Sequence, residues 1–157
     1  MNGELKEKDI LFVSVNYHRD KYPKLPSIEI IDKGDWIDLC NAEDVDMKAG
    51  EVKIISLGIS MEIPSGYTAL LLPRSSTCMK HGIIMANSMG IIDESYCGDN
   101  DIWGFMAYAI RDTHIPANTR IAQFKFDEKM KNKMDIYFDS VKSLGNANRG
   151  GFGSTGN

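Results

Sequence analysis

Apolar residues occupy every second position in one stretch of the chain, and this alternation constrains the fold more than any other feature. Between residues 52 and 63 the apolar positions include Ile55, Leu57, Ile59, Met61 and Ile63, and the residues between these five are small or polar. A period of two places all the apolar side chains on one face of an extended strand. The pattern therefore predicts a half-buried strand across residues 52–63.

Further short segments rich in β-branched and aromatic residues follow at close intervals, at 67–72, 82–87, 102–110, 121–126 and 136–141. Turn-forming residues at 64–66, 98–100 and 116–118 separate several of them. Short strands divided by such turns are typical of a sandwich or barrel. Because 157 residues suit one domain, we expect an all-β barrel domain over residues 1–145, with residues 146–157 as its C-terminal tail.

Helix signals are scarce. The best candidate covers residues 76–81, where Ser75 or Ser76 could cap the N-terminus and Gly82 could end the helix. Residues 127–134 contain helix formers but no apolar face, so we interpret them as a loop. The end of the chain, from Leu144 onward, is polar and rich in glycine, and we expect it to be flexible when no ligand is bound.

Charge and composition exclude several classes of function. The net charge is −4, which gives no basic surface for a long nucleic acid, although a few arginines could still bind a small polyphosphate. The three cysteines lie far apart and form neither a zinc motif nor a disulfide pattern. The first nine residues are charged and no apolar run is long enough to span a bilayer. We therefore expect a soluble cytoplasmic protein that binds neither nucleic acid nor membrane.

A first candidate binding motif spans residues 73–77, with the letters PRSST, between an apolar run and the predicted helix. Backbone N–H groups at a helix start attract an anion, and Arg74 adds donors that match phosphate oxygens. The alternative is that the serines are ordinary helix caps.

A second motif spans residues 87–98, with the letters NSMGIIDESYCG. Asp93 could be a general base, and Tyr96 follows three residues later in what looks like a hairpin. The alternative is that the aspartate forms a turn and the tyrosine packs on a strand.

Two weaker motifs follow. In the strand-like letters RIAQF at 120–124, Arg120 and Gln123 are the polar members, although a salt-bridged arginine on a strand is commonplace. The letters RGGFGSTG at 149–156 combine glycines that free the backbone with hydroxyls that could contact phosphates, but they lack the ending of a Walker loop. Composition alone would equally fit a disordered tail.

Together with the letters GDWIDL at 34–39, these motifs occur in the order found in trimeric dUTPases, and the resemblance runs from about residue 35 to 156. The wording of GDWIDL and GDND-x-W is similar to the branch found in Gram-positive bacteria and their phages. The resemblance implies a distorted β-barrel or jelly-roll fold, a homotrimer with shared active sites, and hydrolysis of dUTP to dUMP and pyrophosphate with Mg²⁺. Such an enzyme limits uracil incorporation into DNA and supplies dUMP for thymidylate synthesis.

The resemblance also assigns roles around the base and sugar. Asp93 would activate the water that attacks the α-phosphorus, and Tyr96 would pack on the deoxyribose and exclude a 2′-hydroxyl. The side chain of Asn87 would read the uracil edge. The main chain of the predicted hairpin would also contact this edge near Gly90, Ile91, Ile92 and Asp101.

The phosphate contacts are assigned in the same way to Arg74, Ser75, Ser76 and Gln123, with Asp38 and Arg120 in supporting positions. Phe152 would cover the base, and the rest of the tail motif would close on the phosphates through Arg149, Gly153, Ser154 and Thr155. The resemblance implies that Mg²⁺ is held by the triphosphate and water, without a direct protein ligand.

Two residues depart from the family pattern. The first motif usually reads AG-x-DL, whereas here three residues separate Gly34 from Asp38. Cys97 replaces the lysine or arginine that commonly follows the tyrosine.

Two other interpretations stay open at this point. In the related dCTP deaminases a catalytic glutamate lies ten residues after the corresponding aspartate, and that place holds Trp103 here. The chain could also be a non-catalytic barrel that binds a nucleotide or a regulatory protein, and a regulatory partner would suit a phage-derived enzyme.

Overall fold

The computed structural model describes residues 10–147, and these residues fold almost entirely into short strands. In chain order the strands are β1 (Ser14–Tyr17), β2 (Ile37–Cys40), β3 (Val45–Met47), β4 (Val52–Ser56), β5 (Ile59–Glu62), β6 (Tyr67–Pro73), β7 (Ile83–Met85), β8 (Gly90–Asp93), β9 (Gly104–Ala109), β10 (Thr113–Ile115) and β11 (Arg120–Glu128). One short helix, α1 (Thr77–His81), follows β6, and a 3₁₀ turn (Met130–Asn132) follows β11. The all-β prediction is confirmed.

The strands pair antiparallel in four sheets. The largest has the order β2-β11-β6-β8, and a three-stranded sheet has the order β4-β9-β7. Two further pairs, β1-β5 and β10-β3, complete the pairing among the described residues. The long strand β11 lies between β2 and β6. It therefore lies next to both the GDWIDL motif at 34–39 and the end of β6 before Arg74.

The alternating residues form the centre of the core. Ile55, Leu57, Ile59, Met61 and Ile63 are all buried. The ring of Trp103 packs edge-on against Phe124 at 5.2 Å between centroids, and both side chains are fully buried. Removing this much apolar surface from water is the main stabilising contribution to such a domain.

The alternating stretch is two strands and not the single strand that its pattern predicts. β4 ends at Ser56 and β5 begins at Ile59, because Gly58 has a φ of +68° that bends the backbone between them. At the bend, Leu57 N–H donates to the carbonyl of Trp103, and Trp103 N–H donates to the carbonyl of Ile59. The kink thus keeps the inward alternation while turning the chain into a second sheet.

Other boundaries also differ from the predictions. The helix begins at Thr77, one residue late, and β11 extends to Glu128 into the segment interpreted as a loop. The predicted strand at 136–141 is wrong: residues 133–147 contain no strand, and Tyr137 and Phe138 are 88% and 97% exposed. An isolated strand has no ladder partner, so apolar composition alone does not form one. No helix among residues 10–147 has the length and apolar character to cross a membrane.

Candidate active site

Two arginines and an aspartate meet where β2 and β11 pair beside the end of β6. Arg74 Nε lies 2.9 Å from Asp38 Oδ1, and Arg120 Nη1 lies 3.7 Å from Asp38 Oδ2. The strand register explains the meeting, because Gln123 lies opposite Asp38 on one side and opposite Leu72 on the other. Glu29 Oε2 also lies 3.8 Å from Arg120 Nη2, so two carboxylates face the two guanidinium groups. The guanidinium groups still have further N–H donors, which suit a phosphate.

Thr77 supports this cluster, and the sequence predictions did not include it. Its buried hydroxyl donates to the carbonyl of Ile121 at 2.7 Å and accepts the Arg74 N–H at 3.1 Å. Ser76 occupies the N-cap position as predicted, but its backbone has αR dihedrals and its hydroxyl makes no capping bond in α1. The Gln123 side chain donates to the carbonyl of Pro73 at 3.0 Å, which fixes the chain just before Arg74.

A cavity of about 520 Å³ lies beside β8 and the residues that flank it, 87–101, which we call the β8 segment. The hairpin predicted at 87–98 is not formed, because β8 pairs with β6 while the next strand, β9, pairs with β4 and β7. Its walls include residues of β4, β6 and β9 as well as the loop after β8. Six of the predicted site residues line it: Asn87, Gly90, Ile91, Ile92, Asp93 and Tyr96. The structure therefore brings together the residues assigned to the base, the sugar and the attacking water.

Gly90 and Asp101 show how the backbone shapes the β8 segment. A Cβ atom at Gly90 would lie 3.0 Å from Cβ of Leu71, so only glycine fits there without movement. The carboxylate of Asp101 accepts the Gly98 N–H at 2.8 Å and closes a turn. Asp101 is not among the residues that line the cavity, whereas the next residue, Ile102, is.

The Asp93 carboxylate is held at both oxygens. Oδ1 accepts the Ser95 N–H at 3.0 Å, and Oδ2 lies 3.1 Å from Nζ of Lys129. Hydrogen bonds from the Ser95 backbone and hydroxyl, followed by Lys129, lower the pKa of Asp93 from 3.8 to about 2. The group is therefore ionised at neutral pH and acts only as an acceptor. Lys129 was not predicted, because no local pattern links it to a residue 36 positions earlier.

Tyr96 and Trp103 border the same cavity with different exposure. The Tyr96 side chain is 43% exposed, and its hydroxyl lies 3.4 Å from the carbonyl of Ile102. Trp103 is fully buried, so the position ten residues after Asp93 is filled by a packed indole and not by a carboxylate.

The arginine cluster and Asp93 lie at opposite ends of β6. Asp93 pairs with Thr68, whereas Arg74 directly follows Pro73, the last residue of the strand. Six residue steps, from Thr68 to Arg74, separate these positions by about 20 Å. Within one chain, the two groups are therefore too far apart to act on neighbouring phosphates.

The remaining predicted residues lie outside the described part of the chain, and these are Arg149, Phe152, Gly153, Ser154 and Thr155. Between residues 10 and 147, no three side chains of the histidine, cysteine, aspartate or glutamate type converge where they could hold a metal ion.

Comparison with known proteins connects this geometry to one family. The family model described as dUTPase matches residues 36–156. An SPbeta prophage-derived deoxyuridine 5′-triphosphate nucleotidohydrolase of Bacillus subtilis is 54% identical over 129 residues, which cover 82% of this chain and 89% of that protein. The deoxyuridine 5′-triphosphate nucleotidohydrolase of Clostridium acetobutylicum is 38% identical over 122 residues, covering 76% of this chain and 81% of the relative.

Solved structures show the same fold at lower identity. A dUTPase of Staphylococcus bacteriophage 80alpha, determined with dUPNHPP, has a TM-score of 0.70 at 20% identity and covers 92% of this chain and 98% of its own. A phage phi11 dUTPase of S. aureus, whose structure describes the coordination of a structural Mg(II) ion, has a TM-score of 0.68 at 16% identity, covering 85% and 99%.

Proposed function

The chain belongs to the dUTPase family, and we propose that it hydrolyses dUTP to dUMP and pyrophosphate through attack of water on the α-phosphorus. The observation that carries the proposal is the position of Asp93, an ionised carboxylate that lines the cavity beside the β8 segment together with Tyr96 and Asn87. A nucleoside bound in that cavity would place its phosphates near this carboxylate.

In this reaction Asp93 orients the attacking water and accepts its proton. A carboxylate with a pKa of about 2 is a weak base for water. Its main contribution is therefore positioning, which phosphoryl transfer rewards because little covalent chemistry is left to the protein. Proton transfer completes as the phosphorus–oxygen bond to pyrophosphate breaks.

The β8 segment selects the base and the sugar. Asn87 and the main chain from Gly90 to Ile92, with the turn that Asp101 closes, present fixed donors and acceptors to a pyrimidine edge. A site of this kind rejects a base with the wrong edge by a factor of about 10⁴ or more, because its polar groups would be left unpaired. Tyr96 packs on the deoxyribose and leaves no volume for a 2′-hydroxyl.

The phosphates bind at the arginine cluster. Arg74, Ser75, Ser76 and Gln123 contact the triphosphate, while Asp38 and Arg120 orient Arg74 and tune the charge of the cluster. We propose that Mg²⁺ joins the site with the triphosphate, held by phosphate oxygens and water, and neutralises charge that the arginines leave uncompensated.

The complete site is assembled in a homotrimer. Because about 20 Å separates the two groups along β6, one substrate needs Arg74 and Gln123 from one chain and Asp93 and Tyr96 from another. The outer face of the β4-β9-β7 sheet supports association, because Val52, Tyr108 and Ile84 form one exposed apolar row across it. The exposed apolar residues of 134–144 provide further surface for a neighbouring chain.

The tail of residues 146–157 closes the site from the third chain. Phe152 covers the base, while Arg149, Gly153, Ser154 and Thr155 enclose the β- and γ-phosphates. If the enzyme is encoded by a phage, we propose a regulatory protein as a further partner.

Release of pyrophosphate from dUTP in the presence of Mg²⁺ tests the proposal directly. We expect turnover with dUTP, much less with dCTP, dTTP or UTP, and no ammonia from dCTP, since a dCTP deaminase would release it. Asp93→Asn keeps the size of the side chain but not its charge, so we expect nucleotide binding to survive and kcat to fall by about 10² to 10⁴. Binding of dUTP without pyrophosphate release by the wild-type protein would instead support the non-catalytic alternative.

A further inference from the structure

Lys129 directly follows β11, and its ammonium group lies between two carboxylates of the β8 segment. Nζ is 3.1 Å from Asp93 Oδ2 and 3.0 Å from Glu94 Oε1. The Lys129 side chain is 23% exposed, which is low for a lysine on a small domain. Its charge is therefore partly shielded from solvent and acts at short range on both carboxylates.

The backbone around Lys129 is fixed by the turn between β5 and β6. Lys129 N–H donates to the carbonyl of Gly66 at 2.8 Å, and the Asn132 side chain donates to the same oxygen at 2.7 Å. Gly66 N–H in turn donates to Glu94 Oε2 at 2.6 Å. The turn, the β8 segment and the residues after β11 thus form one hydrogen-bonded network.

We infer that Lys129 is a positioning residue for the hydrolysis, one that holds the Asp93 carboxylate in a single orientation facing the cavity. The inference rests on the proposed function. The last torsion of an aspartate is soft, so one hydrogen bond leaves the carboxylate free to rotate. With Oδ1 on the Ser95 N–H and Oδ2 on Lys129, both oxygens are fixed, and each keeps a lone pair for water.

Lys129 also lowers the pKa of Asp93 among other charged groups. The charged groups around this carboxylate are Glu94 next to it in sequence, Asp127 and Glu128 at the end of β11, and Lys129 and Lys133 after it. Ser95 is the largest cause of the lowered pKa of Asp93 and Lys129 adds to it. A polyphosphate arriving at the cavity would raise the pKa of Asp93, and the neighbouring ammonium group of Lys129 would oppose that increase.

Four variants test the inference. Lys129→Met removes the charge and keeps most of the length, and Lys129→Arg restores the charge. Lys133→Met is the matched control, because Lys133, four residues after Lys129, pairs with Glu128 and has no ion pair with Asp93. Glu94→Gln weakens the second contact of Lys129 while leaving the pair with Asp93 in place.

We expect Lys129→Met to lower kcat by about 5- to 20-fold, with KM for dUTP changed less than twofold, because the lysine orients a catalytic group without contacting substrate. Lys129→Arg should recover at least half of the lost kcat, and Lys133→Met and Glu94→Gln should stay within twofold of wild type. If Lys129→Met behaves like Lys133→Met, or if Glu94→Gln reproduces its loss, the inference is wrong and the lysine only stabilises the loop.

A second measurement does not depend on turnover. The ¹³Cγ signal of Asp93, assigned with Asp93→Asn, reports protonation of the carboxyl. With a pKa of about 2, the group is about 1% protonated at pH 4. In Lys129→Met, we expect a larger protonated fraction at that pH, because one opposite charge is lost while Ser95 remains. An unchanged titration in Lys129→Met would overturn the inference.

The two measurements separate this inference from the proposed function. If wild-type protein releases no pyrophosphate from dUTP, the hydrolysis proposal fails, and the catalytic role of Lys129 fails with it even if the titration shows the ion pair. If wild-type protein is active and Lys129→Met keeps full kcat, only the role of Lys129 fails.

Discussion

Replacing Gly58 by alanine should destabilise the protein strongly, because this glycine bends the alternating stretch into two strands. Its φ of +68° is a left-handed conformation, and a Cβ atom there would lie 2.8 Å from Cβ of Ala42 and 2.8 Å from Cδ2 of Leu25. Both neighbours belong to the buried core. The variant therefore combines backbone strain with overpacking.

Gly50 separates these two effects. It has a similar φ of +86°, but nothing lies within 4 Å of its missing Cβ. A left-handed alanine costs about 1–2 kcal/mol, and the reduced freedom of the unfolded chain returns about 0.4–1 kcal/mol. We therefore expect Gly50→Ala to lower the free energy of unfolding by about 1 kcal/mol. Overpacking in a close-packed core adds about 1–3 kcal/mol, so Gly58→Ala should lower it by about 2–4 kcal/mol.

Urea unfolding of both variants at one protein concentration measures the difference, because association would otherwise shift the apparent stability. The decisive quantity is the gap between the two variants, since backbone strain is common to both. If the two free energies of unfolding agree within about 0.5 kcal/mol, Ala42 and Leu25 yield easily and the steric argument is refuted.

Three further predictions concern the sugar, a histidine and the assembly. Tyr96→Ala should lower the ratio of kcat/KM for dUTP over UTP, and an unchanged ratio would place sugar selection elsewhere. Burial, with smaller contributions from nearby cations, lowers the pKa of His81 below 6.5. The unfolded chain therefore binds more protons, and the free energy of unfolding should fall as the pH drops below 6.5. In urea unfolding between pH 7 and 5, His81→Asn should flatten this decline, and equal slopes for variant and wild type would contradict the prediction. Deleting residues 146–157 should lower kcat/KM by about 10² or more without unfolding the protein. Refolding this deletion variant together with the Asp93→Asn variant should restore activity in mixed trimers. Mixed trimers that stay inactive would show that the tail and Asp93 of one site come from the same chain.

The sequence predicts the elements whose side chains alternate over several residues. The stretch at 52–63, β6 and β11 are recognisable because each buries one face over at least two pleats. The strands β3 and β10 have three residues each, too few for a period of two to be distinguished from chance. The segment 136–141 has strand-like residues but no partner in the single chain, so composition was misleading there.

The site shows the same division between local and long-range information. Asp93, Tyr96 and Gly90 lie within one short motif, and the structure gathers them around one cavity. Thr77 and Lys129 act through contacts with residues 44 and 36 positions away, which no local pattern encodes. The roles of the predicted residues toward dUTP stay predictions until the variants are measured.

The length of β11 has a consequence for how this gene can change. Gln123 lies near the start of the strand, beside the arginine cluster, and Lys129 follows its end, beside Asp93. Loss of a single codon between these positions would leave every family motif readable in the translated sequence. It would nevertheless move Lys129 along the sheet by about 3.4 Å and turn the intervening side chains to the opposite face. In the trimer that we propose, the two ends of β11 would belong to different active sites, so one such deletion would damage both kinds of contact in every site. We expect natural length variation to fall in the loops of this protein and to avoid β11.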